Sequence, residues 1–145
     1  MPDITSKIPC TAMHVRRAGR QISKMYDYYL RPAGIRVTQY GMLRSISGLY
    51  QPFISDMGRI LNMDQTTVTR NIEKLEKAGL VVTSAHPDDP RKKIIELSAA
   101  GQAKLAEALP LWEKAQHRIE SHMGKADLAK LAQLLQKVSE AAKLK

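Results

Sequence analysis

The chain has 145 residues, 43% of them hydrophobic, and carries 23 Lys and Arg against 14 Asp and Glu, for a formal net charge of +9. That length allows one domain with its own apolar core, so neither disulfides nor a structural metal is required. The single cysteine, Cys10, excludes an internal disulfide, and no apolar run approaches the roughly 18 residues of a membrane span. The first residues also lack the basic-then-apolar pattern of a secretion signal, so we expect a cytoplasmic protein with no membrane partner.

The positive charge favours a polyanionic partner, but it is unevenly spread. Residues 1–54 hold eight basic and two acidic side chains, residues 55–97 hold seven of each, and residues 98–145 hold eight and five. The middle of the chain is therefore neutral. Any nucleic-acid contact predicted there must rest on geometry and residue types rather than on net charge.

Three helices are predicted in the first part of the chain. Apolar residues at alternating steps of three and four indicate an amphipathic helix over about residues 9–30, and Pro32 and Gly34 should end it. Thr38 is a candidate N-cap for a second helix and Ser55 for a short third one.

A fourth helix is predicted in the stretch DQTTVTRNIEKLEKAGL. Asp64 is a good N-cap, Val68, Ile72 and Leu75 form its buried stripe, and Gly79 stands where a left-handed residue would stop it. Helices three and four, joined through the tight turn NMD, form a helix-turn-helix pattern. In that motif the second helix presents its first turns to the DNA major groove.

The leading end of this fourth helix is polar in a way that suits base reading. Gln65 can pair with an adenine edge, and Thr66, Thr67 and Thr69 offer hydroxyl and methyl groups. Arg70 can reach a guanine or a phosphate. The alternative is a capped surface helix whose threonines face solvent.

A β-hairpin is predicted directly after this helix. LVVTSAH and IIEL read as two short strands around the polar loop PDDPRKK, whose prolines are confined to its tip. Arg91, Lys92 and Lys93 place three cations there, the layout of a wing whose arginine enters a narrow minor groove. Asp89 can orient Arg91 by a hydrogen bond. The alternative is an ordinary solvated charged loop.

The C-terminal third predicts two more helices. Ser98 is the expected N-cap of the fifth, Pro110 should kink it, and a sixth follows Gly124 with an apolar seam. The seams of the first and last helices exceed what the small central unit can cover, which favours a homodimer. The alternative is a monomeric bundle that buries both seams internally.

Taken together, these segments resemble the MarR-type winged-helix transcriptional regulators. The resemblance is carried by ISDMGRILNMDQTTVTRNIEKLEKAGLV, by HPDDPRKKIIELSAAG with its Asp-x-Arg and Ser-x-x-Gly, and by the flanking helices. It implies a mainly α fold with a small β-hairpin wing, in one domain of residues 1–145. A winged helix-turn-helix at residues 38–97 would be flanked by dimerisation helices at residues 9–31 and 98–145.

The resemblance also implies a function. It predicts an obligate homodimer, without a cofactor, that binds a pseudo-palindromic operator in double-stranded DNA and usually represses until a small ligand or oxidant releases it. The implied DNA contacts comprise the recognition-helix residues Gln65, Thr66, Thr67, Thr69 and Arg70, the minor-groove residue Arg91, and the phosphate candidates Ser55 and Lys92.

Family members that respond to phenolic or other aromatic acids have a pocket between the dimerisation helices and the winged unit. By their position in the sequence, five residues are expected to approach that pocket: His14, Arg17, Arg20, Tyr40 and Trp112. An arginine beside an aromatic wall suits an anionic ring. The alternative is that the arginines are solvated and the tryptophan belongs to the core.

Two other switches are open alternatives. Cys10 invites comparison with oxidant-sensing members, but the sensing cysteine aligns near Ala12, and His14 stands where a tyrosine is expected, so a spectator thiol is favoured. A metal sensor is also conceivable, because Cys10 and His14, like Glu113 and His117, are four residues apart on a helix face.

Other function classes fit less well. The chain has no Walker or dinucleotide glycine loop, no His-Glu-x-x-His and no serine elbow, so we predict that it is not an enzyme. A non-specific DNA- or RNA-binding module would need a broad basic surface or exposed stacking aromatics. The winged unit is neutral and has no aromatic residue after Phe53.

Overall fold

The structure is a computed structural model that describes residue 7 and residues 9–144. In that part of the chain the helices are α1 (Thr11–Leu30), α2 (Val37–Ser47), α3 (Ile54–Leu61), α4 (Gln65–Lys77), α5 (Ala99–Met123) and α6 (Lys125–Ala141), with a 3-10 turn at Arg31–Ala33, and strands β1 (Val81–Ala85) and β2 (Lys93–Leu97) lie between α4 and α5. This order confirms the predicted fold class. The extent of the domain, 1–145, stays a prediction, and its ends at residues 1–6, 8 and 145 lie outside the described residues.

One apolar core joins the winged unit to the long helices. Its fully buried members come from α1 to α4, from both strands and from α5: Leu30, Leu43, Met57, Val68, Ile72, Leu75, Val81, Ile95 and Ala108. The predicted buried stripe of α4 is therefore confirmed. Because this stripe packs into the core, the opposite face of α4 points outward in a fixed orientation.

Both predicted ends of α4 are confirmed. The Asp64 carboxylate accepts the backbone N–H of Thr67 at 2.7 Å, which satisfies one of the free amides of the first turn. Gly79 has φ 75°, and the N–H of Leu80 donates to the carbonyl of Leu75 at 2.9 Å. This is the hydrogen-bond pattern of a Schellman stop, in which the left-handed residue turns the chain directly into β1.

The predicted N-cap of α2, Thr38, is wrong. The helix already begins at Val37, after Arg36, so Thr38 lies within its first turn. The Gln39 side chain accepts the backbone N–H of Arg36 at 3.0 Å, and Asp27 of α1 accepts the N–H of Val37 at 2.8 Å. Side chains from one turn later and from a neighbouring helix thus satisfy these amides without a hydroxyl cap.

The predicted N-cap of α3, Ser55, is wrong for a similar reason. The helix begins at Ile54, and the residue before it is Phe53. The carboxylate of Asp56 reaches back to the Phe53 N–H at 2.9 Å, so an acid in the third helical position defines the start of the helix. Ser55 is left exposed in the first turn.

The two strands form the predicted hairpin, paired antiparallel from Val81 with Leu97 to Ala85 with Lys93. A further contact was not expected: Phe53 forms an isolated antiparallel bridge with Ile94 on the outer edge of β2. Beside it, the Ile95 N–H donates to the carbonyl of Pro52 at 2.9 Å. The segment that leads into α3 is therefore tied to the wing strand.

The junction between the wing and α5 explains the Ser-x-x-Gly pattern. Ser98 is the N-cap of α5, as predicted: its Oγ accepts the Gly101 N–H at 3.0 Å and donates to the carbonyl of Gly79. A Cβ atom on Gly101 would lie only 1.9 Å from the carbonyl oxygen of Leu80. Glycine is thus required for this close approach of α5 to the end of the helix-turn-helix.

The outer helices leave apolar side chains exposed. α1 buries only Tyr26 and Leu30 among its described residues and meets α5, where the Tyr26 hydroxyl donates to the Gln116 side chain. α6 buries none of its residues. The exposed large apolar side chains of these two helices include Met13, Val15, Ile22, Leu134, Leu135 and Val138. Within the described segments, no helix is long and apolar enough to cross a membrane.

Candidate nucleic-acid interface

The outward face of α4 carries the residues predicted to read DNA. Gln65, Thr66, Thr67 and Arg70 are exposed, and Thr69 is half-buried beside them. The packing of Val68 in the core separates this polar face from the interior and fixes which side chains point outward. Gln65, Thr66, Thr69 and Arg70 therefore line one accessible surface. Thr67 is exposed but is not among the residues that line it.

The N-cap also sets the local electrostatics. The Thr67 backbone N–H, followed by the Thr67 hydroxyl, lowers the pKa of the Asp64 carboxyl below its ordinary value, and Arg70 lowers it further. Asp64 is consequently ionised at neutral pH and holds the first turn of α4. Arg70 forms no ion pair with any other described residue, so its guanidinium is available to a ligand.

The wing presents Arg91 as an exposed cation. The side chain of Arg91 is 92% exposed, and Asp89 Oδ1 accepts both its backbone N–H, at 3.1 Å, and its Nε–H, at 3.3 Å. The predicted hydrogen bond between Asp89 and Arg91 is therefore confirmed. It restrains the root of the arginine while the remaining guanidinium donors point to solvent.

A cleft of about 370 Å³ separates the wing from the helix-turn-helix. It is lined by Phe53, Ile54, Ser55, Gln65, Thr69, Arg91, Lys92 and Lys93. A second open surface continues from it along α4, past Thr66, Arg70 and Glu73. Both phosphate candidates, Ser55 and Lys92, thus lie in the same cleft as the wing arginine and two of the recognition-helix residues.

The root of the wing contains a cluster that the sequence did not indicate. The rings of Phe53 and His86 meet edge to face with centroids 5.5 Å apart, and Lys92 Nζ lies 5.5 Å from the centroid of the Phe53 ring. His86 Nδ1 accepts the backbone N–H of Asp88 at 3.1 Å. The only sequence signal was an aromatic residue between a proline and a helix start, which fits many other roles.

Two of the five predicted effector residues are in contact. Tyr40 of α2 is 4% exposed and stacks on Trp112 of α5, with ring centroids 5.6 Å apart and an interplanar angle of 17°. Burial is the main reason that the pKa of the Tyr40 hydroxyl is raised; Glu113 raises it as well, and Arg44 opposes the shift.

The three predicted effector residues of α1 have other surroundings. Arg20 lines a shallow groove along α1 together with Arg16, Gly19, Ser23 and Lys24. His14 is exposed near the start of the helix, and Arg17 is half-buried. The aromatic pair and the Arg20 groove are therefore separate features of this single chain, and the effector pocket stays a prediction.

The residues of the two alternative switches do not converge. Cys10 is a free, exposed thiol at the residue before α1. Among residue 7 and residues 9–144, no three His, Cys, Asp or Glu side chains are grouped closely enough to hold a metal ion. His117, one of the four residues considered for such a site, is within 3.2 Å of the Ser121 hydroxyl on its own helix.

Comparison with known proteins agrees with this geometry. The model of the MarR family matches residues 35–93, which include α2, the helix-turn-helix and most of the wing. The HTH-type transcriptional regulator SarZ of Staphylococcus aureus (strain USA300) is 31% identical over 98 residues, which cover 68% of this chain and 65% of SarZ. The chain thus spans a little less than two thirds of the length of this relative.

Solved structures extend the similarity to almost the whole chain. The Mycobacterium tuberculosis transcriptional regulator MosR, in complex with DNA, is 35% identical, with a TM-score of 0.82 over 93% of this chain and 99% of that one. A mutant of Escherichia coli MarR bound to operator DNA is 22% identical, with a TM-score of 0.82 over 95% and 99% of the two chains, and supports the fold. The chain belongs to the MarR family of winged-helix, DNA-binding transcriptional regulators, which are not enzymes.

Proposed function

We propose that the protein is a cytoplasmic homodimer that binds a pseudo-palindromic operator in double-stranded DNA. The observation that carries this proposal is the cleft between α4 and the wing, where the predicted base-reading, minor-groove and phosphate residues converge. Such a surface offers groups that can contact the major groove, the minor groove and the phosphate backbone between them.

The leading end of α4 supplies the base-specific contacts. Gln65 can form two hydrogen bonds with an adenine edge, and Arg70 can do the same with guanine. The threonines, Thr66, Thr67 and Thr69, offer methyl groups to thymine and hydroxyls to bases or phosphates. Since this end is exposed and its helix is anchored in the core, the side chains enter the groove without reorganisation of the fold.

The wing supplies the minor-groove contact and part of the backbone contact. Arg91 extends from the tip, with its root restrained by Asp89, and suits a groove narrowed by A·T pairs. Ser55 and Lys92 face the same cleft and bind the phosphates of the strand that passes between wing and helix.

Dimerisation through α1 and α6 would allow the protein to bind an operator with two-fold symmetry. α6 has no buried residue within one chain, and α1 and α6 expose apolar side chains in series. A two-fold partner that packs its own α1 and α6 against them would bury these faces. It would also set two α4 helices at the fixed separation that a pseudo-palindromic site requires.

The regulatory state is repression, relieved by a small aromatic acid. The half-buried Trp112, which stacks on the buried Tyr40 at the contact between α2 and α5, provides an aromatic side for this site. In a dimer, an arginine of α1, Arg17 or Arg20, completes such a site by pairing with the carboxylate. No observation on the described residues favours the thiol or metal alternatives over this one.

A competition experiment tests the proposal. A labelled DNA fragment from beside the protein's own gene is shifted by the protein and then competed with unlabelled operator or bulk DNA at fixed salt. We expect specific competition to be more effective by on the order of 10³ or more. Equal competition by both DNAs would show that the protein binds DNA without sequence specificity. Candidate aromatic acids are then screened for loss of the shift.

A further inference from the structure

We propose that Phe53 is a positioning residue that sets the wing relative to α4 and thereby determines the minor-groove part of DNA recognition. Phe53 acts through other residues, because its ring is half-buried and is already covered by Lys92. The inference rests on the proposed function, since it concerns how the same surface reads DNA.

The backbone around Phe53 joins the two reading elements. Its N–H donates to Asp56, which fixes the start of α3. Its backbone forms the bridge with Ile94, and the preceding Pro52 accepts the N–H of Ile95 at 2.9 Å, which fixes the edge of β2. A displacement at Phe53 is therefore shared by the helix-turn-helix and the wing.

The side chain of Phe53 contacts both arms of the hairpin. His86 directly follows β1, and Lys92 directly precedes β2, so the two residues are the ends of the wing loop. Both lie against the same ring, His86 edge-on and Lys92 through its ammonium group, with each separation 5.5 Å. Phe53 thus holds the loop at the point where it leaves the sheet.

The loop itself is organised from these two ends. The His86 N–H donates to the Lys92 carbonyl at 2.9 Å, and the Lys92 N–H donates to the Asp89 carbonyl at 3.0 Å. His86 Nδ1 accepts the Asp88 N–H, which closes the first turn of the loop. Arg91 is the immediate neighbour of Lys92, so its direction depends on this frame.

The hydrogen bond between the side chains of Arg91 and Asp89 cannot replace the contacts that Phe53 makes with His86 and Lys92. The bond between Asp89 and Arg91 lies wholly within the loop and moves with it. Aromatic and cation–π contacts are individually modest, but together they are the side-chain contacts that the described residues show between the loop ends and the helix-turn-helix. Their loss should leave the loop intact but free to shift against α4.

The test compares Phe53→Leu, Phe53→Tyr, Arg91→Ala and the double variant Phe53→Leu/Arg91→Ala. Affinity is measured at fixed salt for two operators that share the major-groove sequence and differ only in A·T or G·C pairs under the wing. Arg91→Ala should weaken binding to the A·T operator by about tenfold and remove the preference between the two.

Phe53→Leu should remove most of that preference, by about fivefold or more, while affinity for the G·C operator stays within about twofold of wild type. Phe53→Tyr keeps the ring face and should retain the preference. In the Arg91→Ala background, Phe53→Leu should cost no more than about twofold, because the two residues act on the same contact. This non-additivity is a result that a general loss of fold does not produce.

Folding is checked by thermal unfolding, and binding is measured well below the transition. His86→Asn provides a second variant, since it removes one ring contact but keeps a side-chain acceptor for the Asp88 N–H, and it changes neither a proposed DNA contact nor the core. It should reduce the A·T preference in the same direction. If Phe53→Leu does not fold, the outcome for His86→Asn decides.

Four results would overturn the inference. Three of them are an A·T preference that survives in the folded Phe53→Leu and His86→Asn variants, additive losses in the double variant, and a Phe53→Tyr variant as impaired as Phe53→Leu. A wild type that prefers its operator to bulk DNA but is insensitive to the pairs under the wing also overturns it. Failure of the proposed function is seen separately, as the absence of any operator preference in wild type.

Discussion

Gly101→Ala should destabilise the protein, because the new methyl group has no space. A Cβ at this position would lie 1.9 Å from the Leu80 carbonyl oxygen and 2.9 Å from its carbonyl carbon. Both are rigid backbone atoms, so α5 must move away from the end of the helix-turn-helix. That movement also strains the bonds of Ser98 to Gly79 and Gly101. Overpacking of this kind costs about 1–3 kcal/mol, occasionally more.

The assay is thermal or urea unfolding at one fixed protein concentration, because the stability of the proposed homodimer would depend on concentration. In a chain of this size each kcal/mol lowers the melting temperature by about 2–4 °C, so a fall on the order of 5 °C is expected. Gly41→Ala is the matched control. Gly41 lies in α2 with nothing within 4 Å of a Cβ, and alanine there should raise helix stability by about 0.5–1 kcal/mol.

A Gly101→Ala variant as stable as wild type would refute the reasoning. It would mean that the contact between α5 and Leu80 is not made in solution. A Gly41→Ala control that loses as much stability as Gly101→Ala would refute it as well, since only Gly101 is blocked by backbone atoms.

Three further outcomes are expected. Asp64→Ala should lower the melting temperature at pH 7 and weaken operator binding, and Asp64→Asn should restore both. The folded state lowers the pKa of the Asp64 carboxyl. Its contribution to stability is therefore fully present above the ordinary pKa near 4 and is lost as the pH falls through the folded-state pKa. Cys10→Ser should leave DNA binding and the peroxide response unchanged in a gel-shift assay, whereas peroxide release of wild type alone would identify a thiol sensor. Trp112→Ala should abolish the effect of an aromatic acid on the shift, and an unchanged dose response would place the effector elsewhere.

Much of the DNA-reading half could be predicted because its signals are local. The Asp64 cap, the Gly79 stop and the buried stripe of α4 each depend on residues within a few positions of one another. The polar leading end needed no tertiary information, since the side opposite a buried stripe is exposed by geometry.

The errors and omissions have a different physical origin. Thr38 and Ser55 were reasonable caps, but Gln39 and Asp56 reach back one turn and satisfy the helix starts earlier. The cluster of Phe53, His86 and Lys92 joins residues more than 30 positions apart in the sequence. The backbone bridge between Phe53 and Ile94 involves only two residues and leaves no periodic sequence pattern. Non-local contacts of this kind become visible only once the chain is folded.

The outer helices were located correctly, but the surface that we propose to cover them belongs to a second chain. Their apolar seams predicted that both helices are buried on one side, but α6 buries none of its residues within the single chain. Sedimentation of the folded protein checks the homodimer directly: a species of twice the 16.2 kDa chain mass is expected, and a stable folded monomer would remove the basis for two-fold operator reading.

One set of affinities shows whether α4 reads bases and the wing reads the minor groove, as we propose. Wild type, Arg70→Ala, Arg91→Ala and Lys125→Ala are titrated against the operator and against bulk DNA at one salt concentration. Each variant loses one positive charge, and Lys125, at the start of α6, lies outside the reading surface.

Arg70→Ala should cost roughly 1–3 kcal/mol on the operator, relax the preference at one position per half-site, and affect bulk DNA much less. Arg91→Ala should weaken operator binding most where A·T pairs lie under the wing, and Lys125→Ala should change little. If all three variants lower operator and bulk-DNA affinity by the same factor, the protein binds DNA through charge alone and α4 does not read bases.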